Sequence, residues 1–519
     1  MKLRKMMVAA AAVTAATATL AACGGGSGSG GSSDKPQTGG NLVMARGDGE
    51  PTSLVPSIPT DNLAIWVIEE LYDTLAVPTQ DGKAVKPSLA TSWQQSKDKL
   101  SWTFHLRTDA KFHNGKPVTS ADVKFTIQQN QKASSPFSFI DTIITKMDTP
   151  DAHTIVFHTK KPWAPLPADM ALYANSVVPK DYGGMSQDEF AKKPIGSGPF
   201  KFVSWTKGSS LKIAKNPNYW RKGVPKLDSV TFTDVPDGNT RSTQLASGQI
   251  QINEYPPFSS IASLQKQPNL KVTAFPSSEV DYLGMNNSHK PFNDVNVRKA
   301  ISLAVDKNAI NKAVYYGHGQ LAGPYLSPVT WAHNDKIQPV KYDLAAAKAA
   351  LAKSSVPHGF STTLTIGSGS EDSKSEAQLI QSSLGKIGIK VQIKTLDPSA
   401  LSSAKRVGNY DMAFGLYTTD IVDPDEIARF AGSYTGGVHA VYTWFKDPQM
   451  DKLAAQASSE TDQAKRKAAY DQMQQIVADK VPFIPLFYAP GVYSYSSKVH
   501  GFHPGGTGNY FLENVWLSK

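Results

Sequence analysis

Two spacings of apolar residues alternate along this chain and together predict a mixed α/β protein. Residues 102–106 alternate apolar and polar side chains, and residues 154–158 repeat that pattern with a more apolar centre, as half-buried strands do. Residues 62–75 instead bring apolar side chains together at separations of three and four, which predicts a helix. Residues 41–45 have the pattern of a first strand, so ordered structure is expected to begin there.

The second half of the chain has the pattern of a parallel crossover. Residues 363–366 are predicted to form a strand, and Ser373 with Glu376 gives a capping box for a helix that Gly388 closes. Residues 389–393 then alternate as a second strand. A strand, a helix and a strand of these lengths predict a βαβ unit with parallel strands.

Two further helices are predicted around this unit, and the length of the chain requires more than one core. Asp343 caps an alanine-rich helix that runs to Lys353, and residues 461–480 carry an apolar stripe on one side. A chain of 519 residues exceeds the roughly 250 to 300 that one hydrophobic core serves, so at least two lobes are expected.

The first 40 residues follow a different pattern. Three basic residues precede a short apolar run that leads to Cys23, the single cysteine of the chain. This arrangement resembles a bacterial lipoprotein signal, which implies that residues 1–22 are removed and that Cys23 carries the lipid. The alternative is an ordinary secretory signal with a chance cysteine. The stretch 23–40 is rich in glycine and serine and is predicted to be a flexible tether.

Composition and charge argue against several classes of function. The chain is 40% hydrophobic and 19% charged, as ordinary globular proteins are. If Cys23 carries lipid, no cysteine is left for a disulfide, a thiolate nucleophile or a metal site. The net charge of +10 is spread along the sequence without a basic run interleaved with aromatic residues, so no nucleic-acid partner is expected.

The sequence also lacks the motifs of common catalytic sites. It contains no Gly-x-Ser-x-Gly elbow, no Walker loop and no His-Glu-x-x-His pair. His500 and His503 are the closest histidine pair, but two ligands alone do not make a metal site. We therefore expect no enzymatic activity, no cofactor and no bound metal.

Several spaced sequence blocks resemble one protein family. PSLATSW at 87–93, WTFHLR at 102–107 and KFHNGKPVTSADVKF at 111–125 are similar to the signature block of the peptide-, opine- and nickel-class substrate-binding proteins of ABC importers. This class is family 5 of the extracellular solute-binding proteins. Later blocks continue the resemblance in register, so that it covers about residues 41–519: 194–200, 216–220, 227–230, 283–287 and 291–306.

Local chemistry agrees with the signature block. Thr119 or Ser120 is suited to cap a helix that has Asp122 in its first turn. A block of this kind builds a fold and supplies little chemistry of its own. We therefore predict structural roles for His105, His113 and Asp122.

The resemblance implies an α/β fold with the two-lobed periplasmic-binding-protein (Venus flytrap) architecture and an extra small subdomain on the first lobe. Connections near 279–287 and 481–488 would join the lobes, so that ligand binding closes them by a hinge motion. The implied boundaries are 41–60, 194–282 and 483–519 for lobe I, 61–193 for the subdomain, and 283–482 for lobe II.

The sequence GLYTTDIVDPD at 415–425 resembles the segment in which peptide-binding members hold the α-ammonium group of their ligand. Alignment of its closing Asp-Pro-Asp places Asp420 on the ammonium-binding aspartate and Tyr417 where an aromatic residue is usual. Thr418 and Thr419 lie between them. A partly desolvated carboxylate that faces an ammonium group forms a charge-assisted hydrogen bond.

Two positions in this segment depart from the family pattern. Ile421 and Val422 stand where peptide binders carry small or polar residues. The family also pairs the ligand backbone with this segment like an added strand, which gives affinity without side-chain selection. The alternative role of Asp420 is that of a loop carboxylate that caps the next helix or is solvated.

Weaker candidates lie elsewhere in the chain. Thr60, Asp61 and Asn62 lie in a first-lobe loop that touches ligand in the family. Lys405 and Arg406, which precede the Asp420 segment, are suited to meet a ligand carboxylate. Trp444 is suited to line the pocket.

These features together predict a receptor rather than an enzyme. We expect a monomer, lipid-anchored at the outer face of the cell membrane, that captures di- or oligopeptides and delivers them to an ABC permease driven by ATPases. One alternative is the same receptor for an oligosaccharide, a nickel or other metal chelate, or another small solute. Another is a receptor that senses a peptide without importing it, and an anchored hydrolase is disfavoured by the missing motifs.

Overall fold

The computed structural model describes residues 35–47, 49–59, 61–132, 138–437 and 439–519. The predicted signal peptide, Cys23, most of the tether and Thr60 therefore lie outside the described residues. Gln37–Lys519 forms one compact unit. Among the helices of the described ranges, none has the length and apolar character needed to cross a bilayer.

The strands of the described residues follow one another in this order: β1 (Asn41–Arg46), β2 (Ala76–Pro78), β3 (Val85–Pro87), β4 (Ala90–Gln95), β5 (Ser101–Leu106), β6 (Ile144–Asp151), β7 (Thr154–Thr159), β8 (Phe200–Thr206), β9 (Ser210–Lys215), β10 (Ser229–Asp234), β11 (Ile252–Glu254), β12 (Leu270–Phe275), β13 (Val280–Met285), β14 (Gln320–Leu321), β15 (Ser361–Gly367), β16 (Lys390–Leu396), β17 (Met412–Tyr417), β18 (Phe483–Tyr488), β19 (Gly491–Ser496), β20 (Val499–His500) and β21 (Trp516–Leu517).

The α-helices of the same residues are α1 (Asn62–Leu71), α2 (Ser120–Asn130), α3 (Ser138–Asp141), α4 (Leu166–Asp169), α5 (Gln187–Lys192), α6 (Gly238–Ala246), α7 (Phe258–Leu264), α8 (Val295–Ala304), α9 (Lys307–Ala313), α10 (Leu344–Ala352), α11 (Glu371–Gly385), α12 (Pro398–Val407), α13 (Asp425–Gly432), α14 (Pro448–Ser459) and α15 (Gln463–Lys480).

A seven-stranded sheet forms the centre of the first lobe. Its strand order is β12-β19-β11-β1-β10-β9-β8, with β1 in the middle and parallel to both of its neighbours. Leu42 and Met44 of β1 share one buried core with Ile65 and Ile68 of α1. The predicted first strand and first helix are both present and pack in one core, whereas the sequence boundary at residue 61 assigned the helix to the subdomain.

A six-stranded sheet, in the order β14-β18-β13-β17-β15-β16, forms the second lobe. Val280 and Tyr282 of β13 face a core shared with α13, α14 and α15, whereas Leu283 and Met285 face an opposite core shared with α8 to α11. Because both faces are covered, strands such as β18 are almost entirely apolar.

The predicted βαβ crossover is confirmed, with one correction. β15 and β16 are parallel, with Ser361 opposite Lys390. The helix between them begins earlier than predicted, because Ser370 is its cap and accepts a hydrogen bond from the Ser373 amide at 3.1 Å. Ser373 is therefore inside the first turn, and the capping box expected at Ser373 was wrong.

A four-stranded sheet, β4-β5-β7-β6, builds a smaller core with α2. Phe104 and Phe157 meet edge to face there, with ring centroids 5.5 Å apart. Thr119 caps α2, and its amide and hydroxyl donate to Asp122 at 2.8 and 2.6 Å. The predicted structural role of Asp122 follows from these contacts.

Helix α1 stops at Leu71, four residues before its predicted end. Gly196 and Gly198, from one of the family blocks, pack against the Leu71 carbonyl there. The Gly198 amide donates to the Leu71 carbonyl at 3.0 Å, and a Cβ on Gly196 would lie 1.8 Å from that oxygen. His113 binds the same segment: its amide donates to the Gly196 carbonyl at 2.7 Å, and its Nδ1 accepts from the Gly196 amide at 3.2 Å. Burial lowers the pKa of His113 to about 4, which suits a neutral structural ring.

The chain passes between the two large sheets at 276–279, between β12 and β13, and again at 489–490, between β18 and β19. β18 pairs with β13 inside the six-stranded sheet. The return to the first lobe therefore comes after β18, whereas the sequence boundary placed that strand in lobe I. Burial of β18 on both faces gives the physical reason for its position in the second lobe.

Candidate ligand-binding site

The turn after β17 is held by one carboxylate, that of Glu426 in the first turn of α13. Its Oε2 accepts hydrogen bonds from the Thr419 hydroxyl at 2.6 Å and from the amides of Asp420 and Ile421, each at 3.1 Å. Because these donors converge on a single oxygen, the backbone that carries Asp420 is fixed by the protein itself.

The Asp420 carboxyl group belongs to a half-buried group of acids whose charges influence one another, which we call the acid cluster: Glu69, Asp420 and Glu426. Burial raises the pKa of Asp420 to about 6. Burial raises the pKa of Glu426 to about 8 and that of Glu69 well above its ordinary value, and the charge of Asp420 is the second cause in both cases. Within the described ranges, no lysine, arginine or histidine forms an ion pair with these three acids.

Helix α1 brings Glu69 to this cluster from the first lobe, and a buried arginine fixes the helix. Arg46 donates from Nη1 to the Leu63 carbonyl at 2.8 Å and from Nη2 to the Asn62 carbonyl at 3.2 Å. Asp61 caps the helix by accepting from a backbone amide of its first turn at 2.8 Å. The two lobes thus each contribute a rigidly held carboxylate to one place.

A small cavity of about 30 Å³ lies between residues of the two lobes. Thr418 lines it from the second lobe, and Asn62 and Trp66 of α1 line it from the first. The indole N–H of Trp66 is buried without a hydrogen-bond partner in the described part of the chain. The remaining walls are mostly aromatic rings and the backbone of a glycine-rich loop: Tyr255, Phe275, Tyr493 and residues 504–508.

The structure places the three first-lobe candidates differently. Asn62 lines the cavity, Asp61 is the cap of α1, and Thr60 lies outside the described residues. From the second lobe, Thr418 lines the cavity and Asp420 lies in the acid cluster. Of the predicted residues, Asn62 and Thr418 thus line one cavity from opposite lobes.

Tyr417 and Thr419 lie in the scaffold around this junction. The Tyr417 hydroxyl donates to the Tyr325 carbonyl at 2.6 Å, in the core of the second lobe. Thr419 is buried, and its hydroxyl is held by Glu426. Both residues shape the turn, and their contact with ligand stays a prediction.

Lys405, Trp444 and Arg406 form a separate group in the second lobe. Lys405 donates from Nζ to the Phe414 carbonyl at 3.0 Å and lies 5.4 Å from the Tyr442 ring centroid. Burial lowers its pKa to about 8. The Trp444 indole N–H donates to the Lys405 carbonyl at 3.2 Å, whereas Arg406 is exposed.

Sequence reasoning missed Glu69 and Glu426 as parts of the site. The available signal for Glu69 was a charged residue inside an otherwise buried helix, beside Ile68. The sequence also left Ile421 and Val422 unexplained, and the structure buries both in the first-lobe core, at 3% and 5% exposure. These two side chains fasten the Asp420 segment to the opposite lobe.

Two sheet-based lobes, with a small cavity between them and an acid cluster that has no ion-pair partner among the described residues, are the architecture of a two-lobed α/β binding protein. Comparison with known sequences gives the family. The sequence model for the middle part of the bacterial extracellular solute-binding proteins, family 5, matches residues 84–437, and the chain belongs to this family. Its members are substrate-binding receptors, not enzymes.

Named relatives and solved structures include peptide binders and one heme binder. The chain is 31% identical to a dipeptide-binding protein of Pseudomonas aeruginosa over 89% of its own length and 92% of that protein. It is 28% identical to heme-binding protein A of Haemophilus influenzae, over 84% of each chain. The structure of DppA from Helicobacter pylori with the peptide STSA superimposes with a TM-score of 0.81, at 31% identity, over 93% of this chain and 99% of that one.

Proposed function

We propose that this protein is an extracytoplasmic receptor for di- or oligopeptides that delivers them to an ABC import permease. In this function Asp420, assisted by Glu69, binds the α-ammonium group of the peptide. The observation that carries the proposal is the acid cluster, whose three half-buried residues form no ion pair with a basic side chain among the described residues. The dipeptide-binding relative from Pseudomonas aeruginosa and the peptide-bound structure of DppA support the same ligand class.

An ammonium group is the ligand chemistry that this cluster favours. A buried carboxylate is costly unless it is paired, and an ammonium group supplies both a charge and three donors. The rest of the peptide would widen the small cavity between the lobes, where the unpartnered Trp66 N–H offers a donor to a peptide carbonyl or carboxylate. Ligand and protein would thus neutralise each other at the junction of the lobes.

Ser278, on the connection at 276–279, contacts both lobes and would take part in their closure around the ligand. The Ser278 amide donates to the Gly506 carbonyl of the first lobe at 2.8 Å, and its hydroxyl accepts from the Thr419 amide at 3.0 Å. The two connections suggest lobe boundaries at 276–279 and 489–490. A ligand at Asp420 would favour the closed arrangement because both lobes contribute acids to its charge.

The membrane anchor, the partners and the oligomeric state extend this proposal. Cys23 would carry the lipid, and the protein would act as a monomer that docks on permease subunits and their ATPases at the outer face of the membrane. Replacement of Cys23 by serine should release the protein from the membrane fraction of cells. Retention of the Cys23→Ser variant in that fraction would reject the anchor.

The ligand class is tested by a thermal-shift screen of protein lacking residues 1–34, which keeps the compact unit Gln37–Lys519 whole. The ligands are di-, tri- and longer peptides, their N-acetylated forms, oligosaccharides, heme and nickel chelates. Stabilisation by free peptides that N-acetylation abolishes is the expected result. Stabilisation by sugars, heme or chelates, with none by peptides, would reject the peptide ligand and leave the receptor role in place.

A further inference from the structure

A second cavity, of about 70 Å³, lies beside α1 and includes Glu69 in its wall. Its walls come from residues 69–86, 171–221 and 509–513. Tyr72, Tyr219 and Phe511 supply apolar surface, and the space admits a few atoms, on the scale of the end of one side chain. We call it the first-lobe pocket.

Four carboxylates line the first-lobe pocket, and two of them are satisfied by the protein. Glu513 pairs with Arg221 at 3.0 Å. Asp73 accepts hydrogen bonds at 2.9 to 3.2 Å from three side chains, which are Ser197, Tyr219 and Trp220. These two acids therefore have partners already.

The other two carboxylates, Glu69 and Glu70, are each satisfied on one oxygen only. Oε1 of Glu69 accepts from the Asn509 amide group at 2.5 Å, and Oε1 of Glu70 accepts from the Leu512 amide at 2.9 Å. Oε2 of each is buried without a hydrogen-bond partner in the described ranges, and Glu70 is only 2% exposed. Lys86, a basic residue on the same wall, is exposed.

Glu69 belongs both to this pocket and to the acid cluster around Asp420. In a peptide, the side chain of the first residue branches from the same carbon that carries the α-ammonium group. A peptide held by Asp420 would bring its first side chain toward the first-lobe pocket. Gly508 lines the cavity between the lobes and the adjacent Asn509 lines the pocket, so the two spaces are neighbours.

We propose that the first-lobe pocket selects a basic first residue, lysine or arginine, whose cationic end is received by Oε2 of Glu70 and of Glu69. This inference rests on the proposed peptide function and adds a preference to it. The aromatic walls suit the apolar stem of such a side chain, and its ammonium or guanidinium group supplies the donors that the two oxygens lack. The described residues contain no group of three or more His, Cys, Asp or Glu placed to hold a metal ion, so an organic cation fits the pocket better.

The test measures affinities for Lys-Ala-Ala, Ala-Lys-Ala and Ala-Ala-Ala by calorimetry on protein lacking residues 1–34. We expect lysine at the first position to tighten binding about tenfold to hundredfold over alanine there, as charge-assisted hydrogen bonds do, and lysine at the second position to have little effect. In Glu70→Gln, the ratio of the Kd for Ala-Ala-Ala to the Kd for Lys-Ala-Ala should fall to about one. Asp188→Asn removes the same charge from an exposed helix and should keep the ratio.

Thermal unfolding of Glu70→Gln in the absence of ligand serves as the folding control, and it should match that of the unaltered protein or exceed it. A ratio near one in the unaltered protein, with all three peptides bound, overturns the pocket and leaves the peptide function intact. A ratio that persists in Glu70→Gln also overturns it. Failure of every peptide to bind overturns the proposed function and this inference together. If magnesium or calcium alone binds tightly and Glu70→Gln abolishes that binding, the pocket belongs to a metal ion and the inference is overturned.

Discussion

Asp420 and Asp423 lie three residues apart between β17 and α13, and their surroundings are opposite. Asp423 receives two hydrogen bonds from the Arg466 guanidinium group, at 2.7 and 2.6 Å, and both side chains are more than nine-tenths buried. Asp420 instead has no basic partner among the described residues, and its charge raises the pKa values of Glu69 and Glu426. Asp423 is thus neutralised by Arg466, whereas Asp420 is available to a cationic ligand.

This difference separates a structural charge from a binding charge. A buried ion pair such as Asp423 with Arg466 is complete in the unliganded protein, so its loss is measured in stability. A buried acid cluster lowers the stability of the unliganded protein and is stabilised by a cationic ligand, so its loss is measured in affinity. The two aspartates therefore predict opposite outcomes for the same substitution.

The largest effect is expected for Asp423→Ala. Removal of one partner leaves Arg466 buried and unpaired, which should lower the free energy of unfolding by about 3 to 5 kcal/mol. Urea denaturation of the purified protein measures this change, with the exposed Asp188→Ala as the control. A loss below about 1 kcal/mol would mean that Asp423 and Asp420 do not differ as proposed.

Asp420→Ala should weaken peptide binding by about 2 to 5 kcal/mol, because the ligand's ammonium group would be left without its carboxylate. The same variant should unfold at the same urea concentration as the unaltered protein, or at a higher one. Calorimetry and denaturation on one preparation separate the two effects. An unchanged Kd would remove Asp420 from the site.

Asp420→Asn should stabilise the unliganded protein in a pH-dependent way. The pKa of Asp420 is near 3.8 in the unfolded chain and about 6 in the folded one, so the folded protein holds an extra proton between these values. That stabilising contribution is complete below pH about 4 and is lost as the pH rises through 6. The advantage of Asp420→Asn should therefore grow from near zero at pH 4 to on the order of 1 to 3 kcal/mol at pH 7.

The stability comparison is made by denaturation of both proteins from pH 4 to pH 8. A constant difference across that range would show that Asp420 is not buried among acids. Peptide affinity should weaken as the pH falls below about 6, because only the ionised Asp420 carboxylate attracts an ammonium group.

The smallest effect is expected for Lys405→Met. The Lys405 ammonium group already donates to the Phe414 carbonyl within the second lobe, so removing its charge should change peptide affinity by less than about 0.5 kcal/mol. Calorimetry with a tripeptide and its C-terminal amide measures the change. A large loss of affinity that appears with the free carboxylate alone would assign Lys405 to the ligand's carboxyl end.

The sequence predicted the periodic elements well because their local patterns coincide with the packing. The βαβ unit and the cap of α2 could be read from spacing and from cap residues. The early end of α1 could not, because the Leu71 carbonyl is taken by Gly198, which is distant in sequence. The position of β18 in the second lobe likewise depends on its pairing with β13.

The candidate site was only half visible in the sequence. Asp420 was found by its position in a family motif, but Glu69 reaches the same place from a helix of the other lobe. A charged side chain in a largely buried helix marks Glu69 as unusual, but it does not identify the contact across the lobes. Ile421 looked like a departure from the family until the structure buried it in the first-lobe core.

The most direct measurement is a calorimetric cycle of four titrations: a free tripeptide and its N-acetylated form, each with the unaltered protein and with Asp420→Asn. If Asp420 binds the α-ammonium group, acetylation should cost the unaltered protein about 2 kcal/mol or more and should cost the variant almost nothing. An equal cost of acetylation in both proteins would contradict the account, because the ammonium group would then be bound elsewhere.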